Sequence, residues 1–198
     1  HLVTSLINVE KDIETCFKKM GIRITCFVLE PLASSYSVLD QNERNLGVAL
    51  IDIGGGTTDI VLYHDGGIQH SRAIPLAGQN ITLDISYRFK TTLEQAEDLK
   101  HSYGGSKREL ANENQIIEIE GIRGRESKSI SEIELCEVIE PRIREILELA
   151  YDEIKKSGFE NKLNFGVIIT GGGSQLRDLV DLAQEIFSMP VRIGYPEV

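Results

Sequence analysis

Apolar positions along this chain alternate between a period near 3.6 and a period near 2, and each switch marks an element. Val9, Ile13, Cys16, Phe17 and Met20 share one helical face, which Gly21 closes as a stop. Ile24 to Leu29 is a short apolar run that predicts a buried strand. Glu30-Pro31 then opens a helix with Leu32, Tyr36 and Leu39 inward, and Asp40 to Asn45 is expected as a polar loop. Residues 47–63 contain two apolar runs and predict a strand pair. Gly66-Gly67 turns the chain into a third strand, Ile68 to Ile74, giving an antiparallel meander.

The texture changes at Gly78. Asn80-Ile81-Thr82 begins a helix to about Phe89, and Thr91-Thr92-Leu93-Glu94 caps a second that runs to about Tyr103. Residues 104–130 are polar and contain one short alternating strand, Ile117-Glu118-Ile119. Ser131 to Lys156 predicts a long helix with Ile133, Val138, Ile139, Ile143, Ile146, Leu147, Ala150 and Ile154 inward and a kink at Pro141. A strand at 165–169, a helix at 175–187 and a strand at 191–193 complete the pattern. Meander and crossover units together predict an α/β fold carrying a helical insert.

Two glycine triplets interrupt these runs where chemistry is expected. Gly54-Gly55-Gly56 separates the apolar run ending in Asp52-Ile53 from the one that follows Thr57-Thr58-Asp59. Glycine has no Cβ, so backbone amides in such a turn can approach an anion closely. Thr57 and Thr58 add hydroxyl groups. Asp52 and Asp59 add carboxylates suited to Mg²⁺, which keeps most of its waters and takes one or two protein carboxylates. Gly171-Gly172-Gly173 follows a second apolar strand. A single glycine turn is more often a plain turn; two after buried strands, one flanked by aspartates, point to a nucleotide phosphate tail.

Composition narrows the classes. A formal net charge of −10 argues against nucleic acid as a partner. Cys16, Cys26 and Cys136 are odd in number and widely spaced, which predicts reduced thiols and a cytosolic setting. His1, His64, His70 and His101 show no shared ligand spacing, so no zinc site is expected. No run reaches the ~18 apolar residues of a spanning helix, and no signal peptide is visible. His1 at the start and Val198 directly after an apolar strand suggest a piece of something longer.

Asp52 to Asp59 matches the second phosphate motif of the actin-like ATPases, and Thr170 to Gln175 their adenosine motif. Beyond these motifs, Glu30-Pro31-Leu32-Ala33-Ser34, Ile74 through Ile85 and Phe187 through Tyr195 resemble the FtsA family of bacterial cell-division proteins. The resemblance implies an actin-like, ribonuclease H-like α/β domain with an insert. Residues 1–45 would end subdomain IA, 46–75 and 157–198 would form subdomain IIA, and 76–156 subdomain IIB. ATP and Mg²⁺ are the implied cofactors. Asp52 and Asp59 would belong to the metal shell, and Gly54, Gly55, Gly56, Thr57 and Thr58 to the phosphates. Gly78 would lie near the ribose and Glu97 and Lys100 near the adenosine. Gly171, Gly172, Gly173, Ser174 and Gln175 would close over the base. Glu30 aligns with a residue that positions attacking water or metal in chaperone relatives. Ala77 replaces an expected glycine, and Arg177 stands where the family often has proline.

Without the resemblance, Glu30 is an ordinary first-turn carboxylate, and Glu97 and Lys100 an i, i+3 pair on a solvated face. With it, the expected protein is cytoplasmic, at the inner face of the cell membrane at the division site. It would form nucleotide-dependent polymers, turn ATP over slowly at most, and receive the C-terminal tail peptide of FtsZ alongside other divisome proteins. Arg142, Arg144, Lys107 and Arg108 are the candidate basic rim for that peptide; their alternative is a solvated ion-pair network. The family's first phosphate loop and its C-terminal membrane helix fall outside these residues, so the chain alone is expected to be inactive. The rival readings are a heat-shock-type ATPase, a sugar-kinase relative and a type IV pilus assembly adaptor.

Overall fold

The computed structural model describes residues 7–121 and 126–196. Its centre is a five-stranded mixed sheet. β1 (Val48–Ile53), β2 (Thr58–His64) and β3 (Gly67–Ile74) form the expected antiparallel meander. β1 also pairs in parallel with β6 (Val167–Thr170), and β6 with β7 (Val191–Ile193), for a strand order of β3-β2-β1-β6-β7.

β1 is apolar almost throughout because both faces of the sheet are covered. Ala49, Ile51 and Ile53 join Ile60, Leu62, Val167 and Ile169 on one face. Helices α4 (Gly78–Phe89), α6 (Glu132–Ser157) and α7 (Leu179–Phe187) supply the other half of that core. Val48, Leu50, Val61, Tyr63 and Ile168 point the opposite way, against Val38 and Leu39 at the end of α2 (Glu30–Val38). Ser35 of α2 ties this layer down through a hydroxyl contact of 2.8 Å with Tyr63.

The insert contributes α4, α5 (Leu93–Tyr103) and a hairpin of β4 (Ile116–Ile119) and β5 (Lys128–Ser131). Thr92 caps α5 as expected, accepting from the Gln95 amide. α6 runs on through Pro141 and spans both regions. Near its start Glu137 pairs with Arg108 of the insert, and near its end Glu153 meets His70 of β3. One apolar cluster therefore continues from sheet to insert.

Several expectations do not hold. Ile24–Leu29 forms no strand among the described residues, and most of it is exposed. With no neighbouring strand in this sheet order, its backbone N–H and C=O groups have no ladder to join. In α2, Leu39 just past its end is buried as expected and Leu32 is half-buried, but Tyr36 is 73% exposed and Ser35 and Val38 take inward positions. The expected loop at 40–45 is largely the helix α3 (Gln41–Leu46). Asp40 accepts from the Glu43 amide at 2.8 Å and Glu43 accepts from the Asp40 amide at 2.9 Å, a reciprocal cap that stabilises so short a helix. In α6, Leu135 and Cys136 are buried, whereas Ile133 and Val138 are only half-buried. The helix α1 (Ile7–Lys19) is present, but none of its residues is buried.

Candidate functional site

Because β1 and β6 are parallel neighbours, their C-terminal ends leave the sheet at the same edge. Asp52 is in register with Thr170, so Gly54–Gly56 and Gly171–Gly173 emerge side by side, the position where open α/β sheets bind ligands. The second turn packs directly on the end of β1. Gly171 has φ +86°, and a Cβ there would lie 2.5 Å from the Ile53 carbonyl oxygen. A Cβ on Gly173 would fall on the Ile53 side chain, 2.9 Å from its own Cβ. Gly55, Gly56 and Gly172 instead face open space.

Strand alternation decides which side chains reach the mouth. Asp52 and Asp59 are direct cross-strand partners, and they share the sheet face of Leu50 and Val61. Two facing carboxylates fit a hard divalent cation. Burial, partly offset by a hydrogen bond from Thr57, and the neighbouring charge of Asp52 hold the Asp59 carboxyl above its ordinary value. Thr57 donates to Asp59 at 3.2 Å. Ser34 of α2 donates to Asp52 Oδ2 at 2.6 Å. Glu30, exposed in the first turn of α2, lies four residues before Ser34 and so on the same side of the helix. Ser34 was not among the sequence candidates; its spacing from Glu30 was the available signal.

Thr58 goes the other way. It shares the face of Ile60 and Leu62, is fully buried, and donates to the Leu76 carbonyl at 2.8 Å. Its hydroxyl is thus committed to the Leu76 carbonyl and turned away from the face that carries Asp52 and Asp59. Ser174 is likewise buried, and its hydroxyl donates to the Gly171 carbonyl at 2.7 Å, closing the turn. Gln175 remains exposed.

The opposite wall comes from α4 and α5. The Gly78 and Gln79 amides, left without intrahelical partners at a helix start, donate to the Gly54 and Gly55 carbonyls at 3.0 and 2.8 Å. Lys100 donates to the Gly78 carbonyl at 3.1 Å, Thr82 Oγ1 at 2.9 Å and Glu97 at 2.8 Å. Thr82 also donates to Glu97, and His101 lies 3.0 Å from its second oxygen. Burial pushes the Glu97 carboxyl up, but the Lys100 and Thr82 hydrogen bonds and the Lys100 charge outweigh it and leave the group below its ordinary value. Glu97 and Lys100 are thus an organised part of the wall rather than a solvated pair. The resulting pocket is lined by Gly54, Gly55, Gly78, Glu97, Lys100 and Gln175, together with Ile81, His101, Gly172, Gly173 and Leu176. Among the described residues no group of three or more His, Cys, Asp or Glu converges as a metal site.

The four cations of the expected basic rim are each paired with a carboxylate of this chain. Arg142 holds Asp84 through Nε at 2.6 Å and Nη2 at 3.2 Å, and also pairs with Glu145. Arg144 bridges Glu140 and Glu185, Lys107 shares Glu185, and Arg108 pairs with Glu137. In so acidic a chain each of these cations already has an internal carboxylate, so the ion-pair alternative describes them.

A family model described as "Cell division protein FtsA" matches residues 49–198. The chain belongs to the FtsA family. The FtsA of Pseudomonas aeruginosa is 41% identical over 196 residues, covering 99% of this chain and 47% of that protein. The FtsA of Neisseria meningitidis serogroup B is 38% identical over 198 residues, covering 100% of this chain and 48% of its own length. The chain therefore spans about half the length of these FtsA relatives. Among solved structures, MreB 5 of Spiroplasma citri bound to AMPPNP superposes with a TM-score of 0.80 at 23% identity, covering 96% of this chain and 60% of that one. A PilM-PilN type IV pilus biogenesis complex gives 0.69 at 18% identity, covering 93% and 46%. The fold is that of the actin-like ATPases, α/β with an insert, and membership of the FtsA family displaces the chaperone, kinase and pilus readings. Among the described residues no helix is long and apolar enough to cross a membrane.

Proposed function

We propose that this chain forms one wall of an ATP site in an FtsA-type protein of bacterial cell division. The observation that carries this reading is the adjacency of the two glycine turns at the ends of parallel β1 and β6, with Asp52 and Asp59 paired beside them. The nucleotide-bound state of the MreB 5 neighbour supports it. Gly54–Gly56 and Thr57 receive the phosphate tail, while Gly78, Glu97, Lys100 and Gly171–Gln175 enclose the nucleoside. Asp52 and Asp59 would hold Mg²⁺, and Ser34 fixes the rotamer of Asp52. When bound, the metal neutralises charge on the phosphate oxygens. Glu30 orients water on the α2 side, and turnover is slow because the nucleotide serves as a structural clamp.

The subdomain division at 45/46, 75/76 and 156/157 belongs to the same proposal, as do polymer formation, linkage of the FtsZ ring to the membrane and residence at the division site. Binding of the FtsZ tail peptide rests on family membership alone, since the four cations first assigned to it are paired internally. The test is titration calorimetry of ATP into the full-length protein with and without Mg²⁺. Asp52→Asn is expected to leave the fold intact and weaken the Mg²⁺-dependent binding; unchanged affinity sinks the metal assignment.

A further inference from the structure

Directly after the second glycine turn the chain is strapped to the insert. The Arg177 amide donates to the Gly104 carbonyl at 3.3 Å, and the Ser106 amide donates to the Arg177 carbonyl at 2.9 Å. The Arg177 side chain continues the strap: Nη2 donates to the Tyr103 carbonyl at 3.2 Å and reaches Glu132 Oε1 at 2.5 Å. Glu132 begins α6, and its side chain is only 4% exposed. The Asn112 amide donates to the same oxygen at 3.2 Å. A carboxylate this buried is costly unless paired, and Arg177 is its cation.

The strap touches both walls of the pocket. On one side, Leu176 lines the pocket and directly precedes Arg177, while Gly172, Gly173 and Gln175 lie within five residues of it. On the other, Glu97, Lys100 and His101 occupy the last turns of α5, the helix that ends at Tyr103. The fit between the walls is close: a Cβ on Gly104 would lie 3.0 Å from Leu176 Cδ2. Ile81 and Leu176 are the apolar side chains of the pocket lining, and neither Asp52 nor Asp59 lines it.

We infer that Arg177 and Glu132 act as a clamp that sets the spacing between the second glycine turn and α5, and thereby the grip on the nucleoside end of the ligand. This rests on the nucleotide reading above. Both are positioning residues: neither lines the pocket, and each acts through Leu176, the glycine turn and the end of α5.

The experiment compares full-length wild type with Arg177→Met, Glu132→Gln and the double variant, measuring melting temperature and affinities for Mg-ATP and Mg-GTP. Arg177→Met strands a buried carboxylate and lowers the melting temperature. The double variant strands no charge and recovers most of the loss. With the clamp gone, its ATP affinity is expected to fall roughly two- to thirty-fold, the range of coupling through packed neighbours. Its preference for ATP over GTP falls with it, because the phosphate contacts common to both are untouched. A double variant with wild-type ATP affinity overturns the clamp, and so does a parallel loss of both nucleotides, which marks a merely structural pair. A folded wild type that binds neither nucleotide overturns the nucleotide reading itself.

Discussion

Thr58→Val separates a phosphate ligand from a structural hydroxyl. The exchange keeps the shape of the side chain and the β preference of its strand, but removes the donor to the Leu76 carbonyl, 2.8 Å away. A lost buried partner costs about 1–3 kcal/mol. The added methyl, buried at a fully enclosed position, returns about 0.8 kcal/mol. Leu76 is itself half-exposed, so water can satisfy part of its carbonyl, and the net loss is about 0.2–2 kcal/mol. Urea denaturation of the full-length protein reads that loss directly, and titration of Mg-ATP should show affinity within about twofold of wild type. Unchanged stability combined with tenfold weaker binding would refute the reasoning, because the hydroxyl would then have to face the cleft and the face assignment of β2 would be wrong.

Three further substitutions test the docking of the second turn and the role of Arg142. Gly173→Ala drives a Cβ into Ile53 and is expected to cost about 1–3 kcal/mol in urea melts, whereas Gly172→Ala, which faces open space, stays within about 0.5 kcal/mol; equal effects would contradict the docking of the second turn on β1. Arg142→Glu places a third carboxylate beside Asp84 and Glu145 and should lower stability by about 1–2 kcal/mol, with anisotropy of a labelled FtsZ tail peptide unchanged once the protein is folded. Abolished peptide capture at wild-type stability would return Arg142 to the partner surface.

The sequence carried the sheet and the two turns because their signals are local: a buried strand between glycines has little alternative, and β1 to β3 fall where their apolar runs predict. What it could not carry depends on who stands opposite. Ile24–Leu29 has the composition of a strand but no partner in the sheet order, and the reversed burial of Ser35 and Tyr36 follows from the hydroxyl contact with Tyr63. α3 was legible in principle, since Asp40 and Glu43 have capping-box spacing, but six residues between two polar ends read equally as a loop. At the site, residue type was readable and direction was not. Thr57 and Thr58 look equivalent in the sequence; the pleat sends one to Asp59 and the other into the core. Likewise Lys100 could have been a solvated charge, and only the meeting of α4 with α5 gives it three acceptors.

The most direct measurement is a crystal structure of the full-length protein with Mg²⁺ and a non-hydrolysable ATP analogue. The account predicts the phosphate tail against Gly54–Thr57, the metal on the Asp52 and Asp59 side, and the nucleoside between α5 and Gly172–Leu176. A nucleotide bound elsewhere, or one whose phosphates leave Asp52 and Asp59 in contact only with solvent, would contradict it.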